Sequence, residues 1–165
     1  MRSVTKRESD MCLYVKEGCK PETADKPIRV WKWVMKDGDG WRPVHAGSRG
    51  RHQFGVVLKA KRRQFDFWVW LEKYVPIDRL WVVRDDGEDV INEGFHAVTS
   101  LAGVIKARLL ICGTPELRLV SAVIPVGAEY CYGTDYDVVA TRMVVFKSLR
   151  SCRKWMKNEI NNPND

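Results

Sequence analysis

Hydrophobic and polar positions alternate most regularly between residues 91 and 146. Residues 117–124 carry apolar side chains on both faces of the alternation, which predicts a strand in the middle of a sheet rather than at its edge. Residues 138–146 form a second β-rich run, and residues 94–98 form a shorter one that begins at a glycine. Turn-forming residues at 133–135 separate the two longer runs, so the pattern predicts three strands in this region.

A helix is predicted between the first two of these strands. Thr99 and Ser100 are good N-caps, because a side-chain hydroxyl can accept a hydrogen bond from a free backbone N–H of the first turn. Gly113 and Pro115 are typical of a helix end. The residues at helical spacing that would form one stripe are Leu101, Val104, Ile105 and Arg108.

Further strands are predicted on the N-terminal side of this region. Residues 28–35 alternate strongly and are rich in β-formers, and residues 41–46 can return beside them as the second strand of a hairpin. Residues 54–58 and 79–84 have similar patterns. The predicted fold is therefore an α+β single domain, a mostly antiparallel twisted sheet of about six strands with one packed helix and a C-terminal helix.

Residues 65–71 form the most aromatic run of the chain, Phe-Asp-Phe-Trp-Val-Trp-Leu. A strand buried on both faces and a wall for an aromatic ligand are both compatible with this composition. We expect burial, because aromatic residues serve most often as core.

The two ends of the chain differ in character. Residues 1–27 are polar and are interpreted as an N-terminal extension, in which residues 11–15 are an edge strand or a partner-binding segment, with the edge strand preferred. The domain itself is predicted to span residues 28–157, and residues 158–165 are predicted to be a disordered tail.

The last part of the domain predicts an amphipathic helix with a basic outer face. Its apolar positions are Leu149, Cys152, Trp155 and Met156. Docking of this stripe on the core is the preferred interpretation, and contact with a membrane surface or with nucleic acid is the alternative.

Composition narrows the class of protein. The chain has 165 residues, of which 45% are hydrophobic, so it can form one domain with a real core. It contains neither an apolar run long enough for a membrane span nor the apolar core of a secretory signal, and its five cysteines are odd in number and scattered. We therefore predict a cytoplasmic protein with reduced thiols, no membrane contact and no zinc site.

The positive charge of the chain is concentrated in one segment. No Asp or Glu lies between Asp39 and Asp66, and the basic residues in that interval are Arg42, Arg49, Arg51, Lys59, Lys61, Arg62 and Arg63. These seven charges equal the net charge of the whole chain, which is 28 minus 21. The segment is interpreted as a solvated surface or as the binding site of an anionic partner such as nucleic acid.

Three stretches together resemble a group of uncharacterised small proteins carried by phages and prophages. They are residues 30–34, Val-Trp-Lys-Trp-Val, residues 94–101, which begin Gly-Phe-His, and residues 119–128. The resemblance extends over residues 30–146, with an insertion around residues 50–80. It implies a phage or prophage origin, hence a bacterial host cytoplasm as the location, and no known activity.

A weaker resemblance is to the ADP-ribosyltransferase superfamily. Residues 44–49 look like the His-Gly-Ser strand that holds NAD in those enzymes, residues 54–58 follow at a similar distance, and residues 94–97 look like the strand that stacks on nicotinamide. The resemblance implies that His45 contacts the nicotinamide ribose and that His96 replaces the stacking tyrosine.

Ser48 completes the ligand-binding set that this resemblance implies. Two positions depart from the family: Ala46 stands in place of a glycine, and Thr141 and Arg142 stand where the family has its catalytic glutamate. Asp137 is the nearest acidic residue to that place. NAD is therefore a predicted ligand only under this alternative, and no catalytic residue is assigned.

The sequence lacks the common nucleotide-binding, zinc-protease and hydrolase motifs. The predicted function is that of a non-enzymatic phage or prophage accessory protein that binds a host factor, either a host protein or a protein complex, with inhibition of host defence as the candidate role. An NAD-binding protein related to ADP-ribosyltransferases and a nucleic-acid-binding protein that uses the basic segment are the two alternatives.

Overall fold

The structure, a computed structural model, describes residues 13–44, 52–109 and 116–162, and it describes only the backbone of Pro43, Arg63 and Glu72. The strands are β1 (Leu13–Val15), β2 (Glu22–Thr23), β3 (Ile28–Asp37), β4 (Gly40–Pro43), β5 (Val57–Lys59), β6 (Lys61–Asp66), β7 (Leu71–Pro76), β8 (Val83–Asp85), β9 (Glu88–Ile91), β10 (Phe95–Val98), β11 (Leu117–Ile124), β12 (Glu129–Tyr132), β13 (Asp137–Ala140) and β14 (Arg142–Phe146). The helices are α1 (Leu101–Leu109) and α2 (Leu149–Asn161).

The main sheet has nine strands within the described ranges, in the order β2-β12-β13-β10-β3-β11-β14-β5, with β4 also beside β3. Its two central strands pair antiparallel from Leu117 opposite Met35 to Ile124 opposite Ile28. The predicted α+β domain with a mostly antiparallel sheet and two helices is confirmed, and so is the central position of residues 117–124. The predicted number of about six strands is too low, because β2 and β12 also join the sheet and the predicted run 138–146 divides into β13 and β14.

Both helices pack on the same face of this sheet. Residues that pair across strands share a face, and Trp33 therefore lies on the same face as its partner Leu119 and as Val123, four residues further along β11. Trp33 Nε1 donates to the carbonyl of Val104 in α1 at 3.0 Å, and Val123 packs with Cys152 of α2. The helices thus lie side by side, α1 over β3 and β10 and α2 over β11 and β14.

The packed face of α1 differs from the predicted stripe. Leu101 and Ile105 are exposed, whereas Gly103, Val104 and Ala107 are buried against the sheet. A Cβ at Gly103 would lie 3.1 Å from the Cβ of Tyr136, so a larger residue would require Tyr136 to shift by a few tenths of an ångström. Small residues, rather than the largest apolar ones, therefore determine which side of the helix faces the sheet.

Helix α2 begins where the sequence indicates. Ser148 is its N-cap, and the Ser148 Oγ accepts from the backbone N–H of Ser151 at 3.2 Å. Cys152, Trp155 and Met156 pack against the sheet, so the predicted docking on the core is confirmed. The helix continues to Asn161, which corrects the prediction that disorder begins at residue 158.

The opposite face of the sheet is covered by strands and loops. The buried side chains there include Val30 and Val34 of the sheet, together with Leu13, Ile77 and Ile91 from the covering segments. β1 is an edge strand of a separate three-stranded sheet with β9 and β8, as predicted for the end of the segment 11–15. β2 joins the main sheet through β12, so part of the predicted N-terminal extension pairs with strands of the domain.

Candidate protein-binding hairpin

Strands β6 and β7 form a two-stranded hairpin that joins neither of the other sheets. Its base is fixed to the core by two buried residues, since the N–H of Ala60 donates to the carbonyl of Thr141 and the N–H of Ile77 donates to the carbonyl of Ala60. The strands pair in register from Lys61 opposite Pro76 to Asp66 opposite Leu71. Five residue steps at roughly 3.3 Å place the end of the hairpin about 17 Å from its base.

The end of this hairpin exposes large apolar side chains. Trp68 is 96% exposed, Trp70 81% and Phe67 76%. We call the exposed apolar residues at this end the aromatic tip, which consists of Phe65, Phe67, Trp68, Val69, Trp70 and Leu71. The expected burial of residues 65–71 is therefore wrong: the run turns back on itself in a two-stranded hairpin, and no other layer of the described chain covers it.

The aromatic tip has a defined shape. The Asp66 carboxylate accepts from the backbone N–H of Trp68 at 3.0 Å and from Lys73 Nζ at 3.1 Å, and such side-chain acceptors fix tight turns. The Lys73 hydrogen bond, followed by that of the Trp68 N–H, lowers the pKa of Asp66. The Phe65 ring contacts Phe67 and Trp70 edge-to-face, with ring centroids 4.9 and 5.9 Å apart. The rings are thus held in place by the turn and by one another before any partner binds.

Trp70 closes the loop in an unusual backbone conformation. Its φ is 51°, in the left-handed region that bulky residues rarely adopt. A glycine or an asparagine would fit this position with less strain. The chain nevertheless has tryptophan there, with its side chain in solvent.

Charge is distributed unequally along the hairpin. Lys61 and Arg62 are exposed at its base, and Lys59 precedes them on β5. The segment that forms the tip, residues 65–72, contains two acidic residues, Asp66 and Glu72, and no basic one. The hairpin is therefore basic toward its base, and at its apolar end Asp66 is paired with Lys73.

The predicted basic residues are not assembled into one patch in the described part of the chain. Arg42 lies on β4, and Lys59 lies on β5, with β3, β11 and β14 between these two strands. Four steps between strands at about 4.8 Å separate them by roughly 19 Å. Lys59 instead lies opposite Arg142 in the register of β5 and β14, a basic neighbour that the sequence analysis missed. Arg49 and Arg51 lie outside the described residues, and of Arg63 only the position on β6 is described.

Of the predicted NAD-contacting residues, only His96 falls within the described ranges. It lies on β10, half-buried, on the face that also carries Val98 and α1. His96 pairs with Val139, and the acidic residue on that face is Asp137, which pairs with Val98 and whose pKa is raised by burial and then by the charge of Asp135. His45 and Ser48 lie outside the described residues.

Thr141 stands where the ADP-ribosyltransferase resemblance places a catalytic glutamate, and its side chain makes a structural hydrogen bond. Thr141 is buried, and its Oγ1 accepts from the backbone N–H of Glu129 at 3.1 Å. The Glu129 carboxylate accepts from the backbone N–H of Leu80 at 2.8 Å. These groups therefore join the start of β12 to Thr141, which lies between β13 and β14, and to the segment before β8.

A lysine and a histidine are both buried in the described core, and the sequence analysis did not single out either. Lys32 is 5% exposed, and its Nζ donates to the backbone carbonyl of His96 at 2.6 Å. Burial lowers the pKa of Lys32 to about 8. The only sequence signal was a lysine between apolar residues of a central strand, which equally fits a strand exposed on one face.

His52 is the second member of this pair. It is 8% exposed, and its Nε2 is buried without a hydrogen-bond partner in the described structure. Burial, followed by the positive charge of Lys32, lowers its pKa to about 4. At neutral pH the pair is therefore a charged lysine beside a neutral histidine.

No family model, curated protein or solved structure matches this chain. Within the described residues, no helix is long and apolar enough to cross a membrane. The same part of the chain contains no group of three or more His, Cys, Asp or Glu side chains placed to hold a metal ion.

Proposed function

We propose that this protein is a binding protein that inserts its aromatic tip into an apolar pocket of a partner protein. The observation that carries this proposal is the exposure of Phe67, Trp68 and Trp70 at the end of a hairpin whose base is anchored in the core. Contiguous exposed apolar side chains of this size are typical of interaction sites.

The tip can supply the affinity that such a function needs. An aromatic side chain buries roughly 150–250 Å² on transfer from water to an apolar pocket. At roughly 25 cal/mol per Å², three rings supply on the order of 10 kcal/mol before the entropic costs of association. Tryptophan is also among the residues that dominate binding energy at protein interfaces, and the preformed turn reduces the entropy lost on binding.

The charges favour a protein over a phosphate-rich partner. The Asp66 carboxylate is paired with Lys73 Nζ at 3.1 Å, and this pair has no net positive charge to attract the phosphate groups of nucleic acid or of anionic lipid. The exposed Lys61 and Arg62 lie toward the base of the hairpin, roughly 17 and 13 Å from Asp66. A protein pocket with an apolar floor and acidic residues further out is complementary to both features.

The resemblance to phage and prophage proteins supports a bacterial host protein as this partner, with inhibition of a host defence as the effect. A small phage-borne protein that carries a rigid, exposed aromatic tip is suited to blocking a site on a larger host protein. The origin and the effect are part of the proposal and rest on the resemblance.

The test is a comparison of three baits in bacterial lysate: the native protein, the double variant Trp68→Ala and Trp70→Ala, and the control Trp81→Ala. Trp81 is also exposed but lies outside the hairpin. We expect one protein species to be retained by the native bait and by the control and lost with the double variant, and the same order of affinities with the purified species.

Two results would overturn the proposal. One is equal recovery of every species by the native bait and the tip variant. The other is tip-dependent binding to single-stranded DNA or to vesicles that contain anionic lipid, with no protein captured. Circular dichroism of all three baits establishes that the variants are folded.

A further inference from the structure

Two cysteine sulfurs lie close together at the side of the main sheet that carries β2 and β12. The Sγ of Cys19 and the Sγ of Cys131 are 3.0 Å apart, although 112 positions separate the residues in the chain. Both are free thiols. Cys131 lies on β12 and is buried, whereas Cys19 precedes β2 and is partly exposed.

The backbone on both sides holds Cys19 in this place. Gly18 turns the chain with φ 74°, and its N–H donates to the Asp89 carboxylate at 3.0 Å. The N–H of Cys19 donates to the carbonyl of Lys16, and the N–H of Ala24 donates to the carbonyl of Ala128. The approach of the two sulfurs is therefore fixed by hydrogen bonds on both sides of Cys19 rather than by one mobile side chain.

We propose that Cys19 and Cys131 form a reversible disulfide, which clamps the segment between β1 and β2 to β12. A disulfide has an S–S distance of about 2.05 Å, so the sulfurs need to approach by only about 1 Å. The other cysteine that the structure describes, Cys152, lies in α2, is buried against β11 and β14, and belongs to a different cluster.

The reaction requires a small disulfide, such as oxidised glutathione, as the oxidant. Cys19, as the accessible thiol, loses its proton and attacks one sulfur of the oxidant, which releases one thiolate and leaves a mixed disulfide on Cys19. Cys131 then loses its proton to solvent and attacks the Cys19 sulfur, which releases the second small thiol. Two protein thiols are thereby oxidised by two electrons, and one small disulfide is reduced to two thiols.

Burial makes the second step the slower one. It raises the pKa of Cys131 to about 12, with a further contribution from the hydrogen bond to Cys19. Little of the Cys131 thiolate is present at neutral pH, so ring closure should accelerate as pH rises. The mixed disulfide on Cys19 should be detectable as a transient at neutral pH and should shorten in lifetime at alkaline pH.

The clamp constrains a long stretch of chain. The 112-position separation closes a large loop in the unfolded state, which is the situation in which a disulfide restricts that state most. The oxidised protein should therefore melt several degrees above the reduced protein, and a reductant should reverse the shift.

The experiment oxidises the full native chain with glutathione disulfide and maps its thiols by mass spectrometry after proteolysis without reductant. We expect a peptide that links Cys19 to Cys131 as the main product, together with the reversible rise in melting temperature. The variant Cys131→Ser should retain one glutathione on Cys19, Cys19→Ser should show neither the link nor the shift, and Cys152→Ser should behave as the native chain does.

Three results would overturn the proposal. A native protein that accumulates glutathione on Cys19 without closing the link at any pH would overturn the proposal, and so would a chain whose Cys19 and Cys131 both remain reduced. A dominant link that involves another cysteine would also overturn it. Since Cys19 is partly exposed, Cys19→Ser should fold normally, which keeps the test valid even if Cys131→Ser is unstable.

Discussion

The aromatic tip and the interior around Lys32 depart in opposite directions from the usual separation of apolar and polar groups. The tip places Trp68 and Trp70 in water, whereas the interior buries a charged lysine beside His52. An apolar side chain that is exposed in both the folded and the unfolded state does not lower the free energy of unfolding. The protein only lacks the hydrophobic stabilisation that burial of that side chain would supply. A buried charge, by contrast, reduces the stability of every folded molecule.

Substitutions in the two regions should therefore affect different measured properties of the protein. Changes at the tip should alter binding and leave unfolding unchanged. Changes in the interior should alter unfolding and its dependence on pH and leave binding by the tip unchanged.

The largest effect is expected from removing the two tryptophans of the tip together. If each contributes about 2 kcal/mol, as interface hot spots do, Trp68→Ala with Trp70→Ala should weaken binding to the partner protein by roughly 1000-fold. The melting temperature should stay within about 1 °C, because exposed side chains contribute little to stability. Titration calorimetry and thermal unfolding of the same samples check both parts. A large fall in melting temperature would show that the tip supports the fold and would contradict the separation of binding from stability.

The next largest effect is the acid sensitivity that His52 imposes. Its pKa is about 6.5 in the unfolded chain and about 4 in the folded protein, so the unfolded state binds the extra proton between these values. The contribution of neutral His52 to the free energy of unfolding is fully present above about pH 6.5. It is lost as pH falls to about 4, and the total loss is about 3 kcal/mol. Urea unfolding of the native protein and of His52→Leu should therefore differ progressively over this interval. Parallel pH profiles of the two proteins would contradict the assignment.

A smaller effect is expected at Lys32. Burial lowers its pKa from 10.5 to about 8, so keeping it charged costs about 3 kcal/mol at neutral pH. Lys32→Met removes this cost but also loses the hydrogen bond from the charged ammonium to the His96 carbonyl, worth about 2 kcal/mol. The variant should be more stable than the native protein by about 1 kcal/mol at pH 7, and the gain should shrink between about pH 8 and 10.5. A destabilised variant would show instead that the ammonium group is needed for the fold.

The smallest effect concerns the turn that shapes the tip. Asp66→Ala removes the acceptor of the Trp68 N–H and should lower affinity for the partner a few-fold while leaving the unfolding curve unchanged. Asp66→Asn is the matched control, because its side-chain oxygen can still accept from Trp68 while the ion pair with Lys73 is lost. Equal loss of affinity in both variants would assign the effect to charge rather than to the shape of the turn.

Local pattern was sufficient for the parts of the fold that a single element decides. The alternation of residues 28–35 and 117–124 predicted both strands and the central position of the second, and the apolar spacing of residues 149–156 predicted α2. These features depend on the backbone period and on neighbours within one turn, which the sequence contains directly.

The features of the candidate site depend on whether another layer of the protein covers each element. The period of residues 65–71 indicates extended chain, but the absence of a covering layer over the tip follows from the position of the whole hairpin outside the two larger sheets. For the same reason, the alternation that placed Lys32 on one face of β3 could not tell whether that face meets water or the covering segments of the core.

The sequence by itself thus determined the α+β class, the central strands and the C-terminal helix of this protein. Tertiary structure alone decided the packed face of α1, the exposure of the aromatic tip, the burial of Lys32 with His52 and the approach of Cys19 to Cys131 across 112 positions. The physical reason is the distance along the chain over which each interaction acts. Hydrogen-bond periodicity and capping act over a few residues, whereas solvent exposure and long-range proximity are properties of the layers that the complete chain assembles.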